Sequence, residues 1–398
     1  MSVPIKATRL FYPVQSERAI ARVTAELTVT SIGIALVVCA VLANESWFDR
    51  HFLPTFFAPF DIYIVAARVC RILIGILGAA LLLHVRPRFG RLVVRTTTRR
   101  LATDVAGILL AVLLALGMSE WALRHTVFGL AAEETPPQVE PKRARDAWLG
   151  WRTAPSRVGR EQSGGRTIEY AIDANGYRVR SLDERVDFER PTVLFAGESI
   201  MFGHGLTWDE TVPGQVQALL GIQSVNLAVE GFATDQAYLR LTAELPRFRR
   251  PVAVVSLFTP ALFDRNLDED RPHLAPGLVW LSGRHRSSLA ALARWMVPYH
   301  SEAAIERNLL ATQEVLHATL DLARSCGAAG LILVPQFAPE QPAERKLRRL
   351  ILDQSGVSYE RVELDSTWHL PWDRHPDARG ARAMALAVAN RLRGITKH

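Results

Sequence analysis

The apolar positions of the first 130 residues fall into three long runs, Leu27 to Ala43, Ile62 to Val85 and Val105 to Ser119. About 20 mostly apolar residues span a bilayer as a helix, and each run approaches or exceeds that length. The middle run contains Arg68 and Arg71, which are costly inside a bilayer unless they lie near one end or face a neighbouring helix. The pattern predicts a membrane region over residues 1–130 with about three transmembrane helices.

From residue 190 onward, short apolar runs alternate with amphipathic stretches. The apolar runs predict strands at 192–196, 222–227, 252–258, 329–335 and 358–363. The amphipathic stretches predict helices at 209–220, 234–246, 302–325, 341–354 and 377–393. This alternation predicts an α/β domain over residues 190–398, in which a parallel sheet is covered by helices on both faces as a three-layer α/β/α fold.

Three further segments do not follow these two patterns. Residues 131–150 have mixed charge and several prolines, which predicts a linker. Residues 151–189 alternate like short strands around Asn175-Gly176, which predicts a small β appendage. Residues 265–300 are longer than a simple strand-to-helix connection requires. They form either a lid or acceptor-binding insertion or a surface excursion without a chemical role.

Charge adds an orientation to the membrane region. Residues 1–25 carry a net charge of +3 and residues 86–100 carry six arginines and no acid, whereas the whole chain carries only +7. The basic character is therefore concentrated beside the membrane segments, where it favours a cytoplasmic location, and it does not indicate nucleic-acid binding. We expect a bacterial inner-membrane protein with a cytoplasmic N-terminus and a periplasmic C-terminal domain. If the middle run failed to cross, the domain would be cytoplasmic.

Candidate chemistry begins where the strand 192–196 ends, at Gly197-Glu198-Ser199. A serine at a strand-to-helix turn lies at the carboxyl end of a parallel strand and beside a helix N-terminus, where open α/β sheets bind ligands. Gly-x-Ser also occurs by chance in chains of this length, so the motif needs support from elsewhere in the sequence.

That support comes from Asp373-Arg374-His375-Pro376, on a loop before the last predicted helix. A serine, a histidine and an acid brought together across a sheet form a nucleophilic triad, in which the histidine removes the serine proton and the acid orients the imidazole. His204 is an alternative base and Asp365 an alternative acid. His375 and Asp373 are favoured because they lie two residues apart on one loop. The segment Asn226 to Gly231 adds a glycine whose backbone N–H could approach an oxyanion.

With these motifs in place, residues 190–395 resemble the SGNH, or GDSL-type, hydrolases: GES matches the GDS block, NLAVEGFATDQ the second block and DRHP the last. The resemblance implies a flavodoxin-like SGNH hydrolase fold. It also implies that Ser199 is the nucleophile and first oxyanion donor, Gly231 the second donor, His375 the base and Asp373 its partner.

The third block departs from the family pattern. The family has Gly-x-Asn-Asp after the third strand, whereas this chain reads TPALFDRN from residue 259 to 266. Ala261 lies near the place of the Asn that would be the third oxyanion donor, and Asn266 or a backbone group are the candidate substitutes. Loss of one such donor costs about 10²- to 10³-fold in rate in other enzymes.

The sequence predicts a membrane-anchored serine esterase that removes an acyl group, most simply O-acetyl, from a glycan or lipid of the cell envelope. The alternatives are an O-acyltransferase to a glycan hydroxyl and a catalytically weak glycan-binding scaffold in a membrane complex. No metal or other cofactor is expected, because the chain has no Cys-x-x-Cys, His-Glu-x-x-His or phosphate-binding Gly-rich motif. The expected partners are the lipid bilayer and the ester substrate, and the sequence does not set the oligomeric state.

Overall fold

A computed structural model describes residues 13–51, 60–95, 98–125, 143–284, 287–296, 299–337, 339–371 and 373–395. The chain divides into two compact units. The N-terminal unit comprises residues 1–50, 59–130 and 287–293, and the C-terminal unit comprises residues 51–58, 131–286 and 294–398. Most of the predicted linker, residues 131–142, lies outside the described residues.

The N-terminal unit is built from long helices. They are α1 (Pro13–Leu42), α2 (Glu45–His51), α3 (Phe60–Ala80), α4 (Arg86–Arg95) and α5 (Thr98–His125), with a π-helical turn, Leu81–Val85, joining α3 to α4. Three stretches within them are long and apolar enough to cross a membrane: Ala19–Leu42, Val65–Val93 and Thr103–Ala122. Their leucines and valines are largely exposed in the protein itself, which suits an apolar solvent. These helices suggest a membrane anchor.

Helices α1 and α3 pack closely, and a glycine on each helix lies at the contact. A methyl group added at Gly78 would lie 2.8 Å from the backbone oxygen of Gly33, so neither position has room for a larger side chain. Arg71 Nε donates to the carbonyl oxygen of Ala40 at 3.1 Å. This bond gives a partner to one of the two arginines in the middle apolar run.

The C-terminal unit contains an eight-stranded sheet in the order β12-β11-β8-β6-β7-β5-β4-β3. The strands of the unit are β1 (Arg143–Asp146), β2 (Gly150–Thr153), β3 (Arg157–Ser163), β4 (Arg166–Ile172), β5 (Arg178–Val179), β6 (Thr192–Ala196), β7 (Gln223–Asn226), β8 (Pro251–Leu257), β9 (His273–Ala275), β10 (Val279–Leu281), β11 (Ala329–Phe337) and β12 (Tyr359–Leu364). The run from β12 to β7 is parallel, and β5, β4 and β3 extend it antiparallel. The chain leaves β6 for β7 on one side and then crosses to β8 on the other, which makes the end of β6 a topological switch point.

Helices cover both faces of this sheet. They are α6 (Ser199–Phe202), α7 (Val212–Leu220), α8 (Thr234–Glu244), α9 (Phe263–Asn266), α11 (Glu302–Ser325), α12 (Pro342–Arg348) and α13 (Ala378–Ile395), and α10 (Ser288–Met296) lies between α9 and α11 in the chain. Successive residues of β6 face opposite sides: Val193 packs in the core formed with α7 and α13, and Leu194 packs in the core formed with α8. The predicted three-layer α/β fold is confirmed.

The segment predicted as a small β appendage joins the main sheet. β5 pairs with β7 through Arg178 and Asn226, and β3 and β4 continue the sheet from there. Ile168, Tyr170 and Ile172 of β4 are fully buried in the same core as β6, which gives this segment a reason to pair with the sheet. Residues 143–150, assigned to the linker by sequence, form β1 and the turn into β2.

Candidate active site

The turn after β6 fixes the position of the predicted nucleophile. Gly197 has a φ of +155°, and a Cβ at this position would lie 3.0 Å from Met201 Cβ. Glu198 then caps α6, and its carboxylate accepts a hydrogen bond from the backbone N–H of Ile200 at 3.1 Å. Ser199 is the first residue of α6. The serine therefore lies at a helix N-terminus above the switch point of the sheet.

The structure brings Ser199, His375 and Asp373 into one hydrogen-bonded chain. His375 Nε2 lies 2.7 Å from Ser199 Oγ, and His375 Nδ1 lies 2.6 Å from Asp373 Oδ1. The backbone N–H of His375 donates to the same carboxylate oxygen at 2.9 Å. Ser199 and His375 expose only 6% and 5% of their surface, so the reacting atoms lie in a narrow site.

The acid beside His375 is kept ionised by its surroundings. Burial alone raises the pKa of Asp373, but hydrogen bonds from the ring and backbone of His375, with the nearby His204, outweigh it and hold that pKa below its ordinary value. Asp365, the alternative acid, is exposed and accepts hydrogen bonds from Thr367 instead. The geometry therefore pairs His375 with Asp373.

His204, the alternative base, lies beside His375 and Asp373. Its ring centroid is 4.7 Å from that of His375, its Nδ1 lies 2.7 Å from Glu230 Oε1, and its Nε2 lies 3.7 Å from Asp373 Oδ2. Glu161 is also near, at 3.8 Å from His204 Nε2. His204 thus links Asp373 to further carboxylates, and His375 holds the contact with the serine. Sequence reasoning gave Glu230 and Glu161 no role: Glu230 lies in the second block, where only Gly231 was assigned a role, and Glu161 lies outside the motifs.

This cluster has a spacing that a metal ion could also use. Ligand atoms of His204, Asp373 and His375 all lie within 4.8 Å of one another. One ring nitrogen of each histidine is already in a hydrogen bond: His375 Nδ1 with Asp373, and His204 Nδ1 with Glu230. A triad with a supporting histidine accounts for the same contacts.

A second acid contacts the nucleophile directly. Ser199 Oγ also lies within hydrogen-bond distance of Glu198 Oε2, and the same carboxylate oxygen lies 3.4 Å from Arg265 Nη1. Glu198 is buried, and its neighbouring cation compensates its charge. The signal for Glu198 in the sequence is its place directly before the serine, whereas nothing in the sequence marks Arg265.

Gly231 lies on the loop after β7 at the same edge of the sheet. The backbone N–H of Val229 donates to the carbonyl oxygen of Gly197 at 3.2 Å, so the two loops run side by side. Gly231 has a φ of +80°, a conformation that suits glycine. The indole N–H of Trp151 holds this loop by donating to the carbonyl oxygen of Glu230 at 3.0 Å.

The two candidate positions of the third block do not offer a side-chain donor to the serine. Ala261 is buried in the main core and carries no polar group. The side-chain nitrogen of Asn266 donates to Thr234 Oγ1 at 3.1 Å and to Thr312 Oγ1 at 2.8 Å, so both of its N–H groups are used. Asn266 therefore joins α9 to α8 and α11.

The insertion after the third block is tied to the domain. Arg271 pairs with Asp235 of α8 at 2.9 Å, and both side chains are buried. His273 is buried, with its Nδ1 2.9 Å from the carbonyl oxygen of Arg271. The indole N–H of Trp280 donates to the carbonyl oxygen of Trp148 at 3.1 Å. The role of this insertion as a lid or acceptor-binding site stays a prediction.

The loop of the serine and the loop of the histidine are packed into each other. Leu370 lies against Gly205, where an added Cβ would come within 2.4 Å of Leu370 Cδ1. The backbone N–H of Leu370 donates to the carbonyl oxygen of His375 at 2.8 Å. On the serine side, buried Arg178 donates to the carbonyl oxygens of Phe202, Gly203 and Leu206. These contacts fix the separation of the two loops.

The chain was compared with known families and structures. No protein-family model and no curated protein matches it in sequence. It is similar to a solved structure assigned as an arylesterase from Agrobacterium tumefaciens, at 15% identity and a TM-score of 0.33, covering 52% of this chain and 99% of that one. It is also similar to a lipolytic protein of the G-D-S-L family from Desulfitobacterium hafniense, at 14% identity and a TM-score of 0.34, covering 50% and 98%. A third is an acetyl xylan esterase from Butyrivibrio proteoclasticus, at 10% identity and a TM-score of 0.32, covering 54% and 66%.

The chain is thus similar to GDSL-type lipolytic proteins and carbohydrate esterases, the group that its sequence motifs resemble.

Proposed function

We propose that this protein is a membrane-anchored serine esterase that removes a short acyl group, most simply acetyl, from a glycan or lipid of the cell envelope. The observation that carries the proposal is the continuous hydrogen-bonded chain from Asp373 through His375 to Ser199. An ionised acid, a correctly oriented imidazole and a serine at a helix N-terminus are the parts that acyl transfer requires.

The reaction proceeds in two steps. Ser199 Oγ attacks the ester carbonyl carbon, its proton passes to His375 Nε2, and the carbonyl electron pair moves to oxygen as an oxyanion. The backbone N–H groups of Ser199 and Gly231 stabilise that charge. When the oxyanion collapses, the alkoxide leaves with the proton from His375 and the acyl group stays on Ser199. Water, activated by His375, then releases the acid by the same route.

The limited access to the serine supports a small acyl group. Ser199 is almost fully buried, and a narrow cavity beside Gly197 and Glu198 has a mixed lining, with Leu257 and Leu262 on the apolar side and Thr259 and Asn266 among the polar side chains. A small acyl group such as acetyl needs less room beside the buried serine than a long acyl chain does.

The location follows from the basic segments around the membrane helices. With the basic segments 1–25 and 86–100 in the cytoplasm, the apolar runs 27–43, 62–85 and 105–119 cross the membrane and the C-terminal unit is periplasmic. An acyl ester of an envelope glycan or lipid is then within reach of a tethered domain. Reporter fusions after residues 95 and 145 test this arrangement, and a cytoplasmic signal at residue 145 contradicts it.

The central experiment uses the full chain purified in detergent. We expect hydrolysis of p-nitrophenyl acetate, with slower turnover of butyrate and octanoate esters, and stoichiometric labelling by a serine-directed phosphonate. Labelling that persists in Ser199→Ala excludes the proposed nucleophile. Transfer of acetyl to an added sugar in preference to water assigns the protein to O-acyltransferases instead.

A further inference from the structure

The third oxyanion donor of this site has no source in the expected positions. Ala261 carries no polar group, and both side-chain N–H groups of Asn266 are held by threonines. Two backbone donors can form an oxyanion hole, and a third donor adds to the stabilisation of the oxyanion. The same segment, however, carries a cation beside the serine loop.

That cation is Arg265, which lies between the two loops that supply the backbone donors. Its Nη1 is 3.4 Å from Glu198 Oε2 and 3.5 Å from the carbonyl oxygen of Phe232. Glu198 directly precedes Ser199, and Phe232 directly follows Gly231. One guanidinium nitrogen therefore contacts both residues that flank the predicted donors.

Two of the contacts that the Arg265 guanidinium makes are long. Hydrogen bonds from N–H to oxygen usually measure 2.7–3.2 Å, and the two contacts of Nη1 exceed that range. The side chain of Arg265 is 19% exposed, which places the guanidinium at the wall of the site where solvent only partly screens it. A newly formed oxyanion offers a stronger acceptor at short range than either resting partner provides.

We propose that Arg265 is the third oxyanion donor and replaces the asparagine that the third block lacks; this inference rests on the esterase function proposed above. As the carbonyl electron pair moves to oxygen, a guanidinium N–H donates to the oxyanion together with the backbone N–H groups of Ser199 and Gly231. Glu198 holds the guanidinium in place before the reaction. A guanidinium carries a positive charge, so it stabilises the oxyanion by charge as well as by hydrogen bonding.

The test compares Arg265→Gln and Arg265→Lys with the matched control Arg307→Gln. The Arg307 side chain is 54% exposed, and it pairs with Glu269 at 3.2 Å. We expect Arg265→Gln to lower kcat for p-nitrophenyl acetate by about 10²- to 10³-fold with little change in KM, the loss seen when one donor is removed from other oxyanion holes. Arg265→Lys keeps the charge and recovers part of that loss. Arg307→Gln keeps wild-type activity.

A second measurement separates this role from simple support of the fold. A boronic acid that forms a tetrahedral adduct on the serine binds the oxyanion site, so its affinity falls in parallel with kcat in Arg265→Gln. A kcat within threefold of wild type, or a raised KM with unchanged kcat and boronate affinity, overturns the inference while leaving the esterase function intact. A wild-type protein that neither hydrolyses acetate esters nor reacts with the phosphonate overturns both. If Arg265→Gln does not fold, Arg265→Lys decides by the same two readouts.

Discussion

His375 Nε2 lies 2.7 Å from Ser199 Oγ, although 176 positions separate the two residues in the chain. The contact joins the end of the first parallel strand to the loop before the last helix. Replacing Ser199 with Ala removes the attacking oxygen, and we expect esterase activity to fall by at least about 10³-fold, as in other serine hydrolases that lose their nucleophile.

The control for this change is Ser224→Ala, at a buried serine of the neighbouring strand β7. Its Oγ is buried without a hydrogen-bond partner among the described residues, so the substitution removes no contact of the site. Its hydrolysis of p-nitrophenyl acetate should match wild type. Equal losses in the two variants contradict a special role for Ser199.

Asp373→Asn tests the orienting acid. Asparagine cannot hold the imidazole in the required tautomer, and we expect kcat to fall by about 10⁴-fold, as when the acid of another serine triad is replaced. Wild-type levels of hydrolysis in this variant, measured from pH 5 to 9, would show that Asp373 is not the partner of His375.

The same carboxyl has a consequence for stability against acid. Because the pKa of Asp373 is lower in the folded protein than in the unfolded chain, its contribution is present above about pH 4 and is lost as the pH falls through the folded value. The thermal unfolding midpoint, measured between pH 3 and 7, should therefore fall less steeply toward acid pH in Asp373→Asn than in the wild type. A steeper decline contradicts the lowered pKa.

Asp264 changes the stability of the fold with pH in the opposite direction to Asp373. Burial raises the pKa of this carboxyl to about 6 despite the neighbouring Arg265, and its Oδ1 is buried without a hydrogen-bond partner among the described residues. Ionised Asp264 therefore destabilises the fold above pH 6, by at most about 3 kcal/mol, and has no such effect below about pH 4. Asp264→Asn should raise the unfolding midpoint at pH 8 and leave it nearly unchanged at pH 4. An equal gain at both pH values points to packing instead.

Gly197→Ala tests the turn that presents the serine. The added methyl would lie 3.0 Å from Met201 Cβ on a backbone with φ of +155°, so we expect a loss of about 1–3 kcal/mol in the free energy of unfolding, with reduced activity. The matched change Gly394→Ala lies in α13, where nothing is within 4 Å of the added methyl. That variant should be neutral or slightly more stable by urea unfolding.

The sequence predicts the strands and helices of the sheet well, because buried parallel strands are short apolar runs that end at glycine or polar residues. The run 192–196 and the turn at Gly197 coincide with β6 and its end. The strands β3 to β5 were harder to place. They alternate polar and apolar residues, and their union with the sheet depends on a pairing of Arg178 with Asn226 that no local pattern reveals.

The site shows the same division. Ser199, His375 and Asp373 belong to local motifs, and the structure brings their side chains together. Asn266 looked like a substitute donor by residue type, but Thr234 and Thr312, 32 and 46 positions away, engage its amide. Its neighbour Arg265 contacts Glu198 instead. Which of two adjacent polar residues faces the serine depends on these distant contacts, which the local sequence does not contain.

The packing of Leu370 against Gly205 also bears on how ligands enter. Because Leu370 packs closely on Gly205, the two loops hold the serine and the imidazole as a preorganised pair. Rigid compounds that match this arrangement should therefore lose less affinity to reordering of the protein than compounds that require the loops to move. A search for ligands of this protein can begin from the shape of this site.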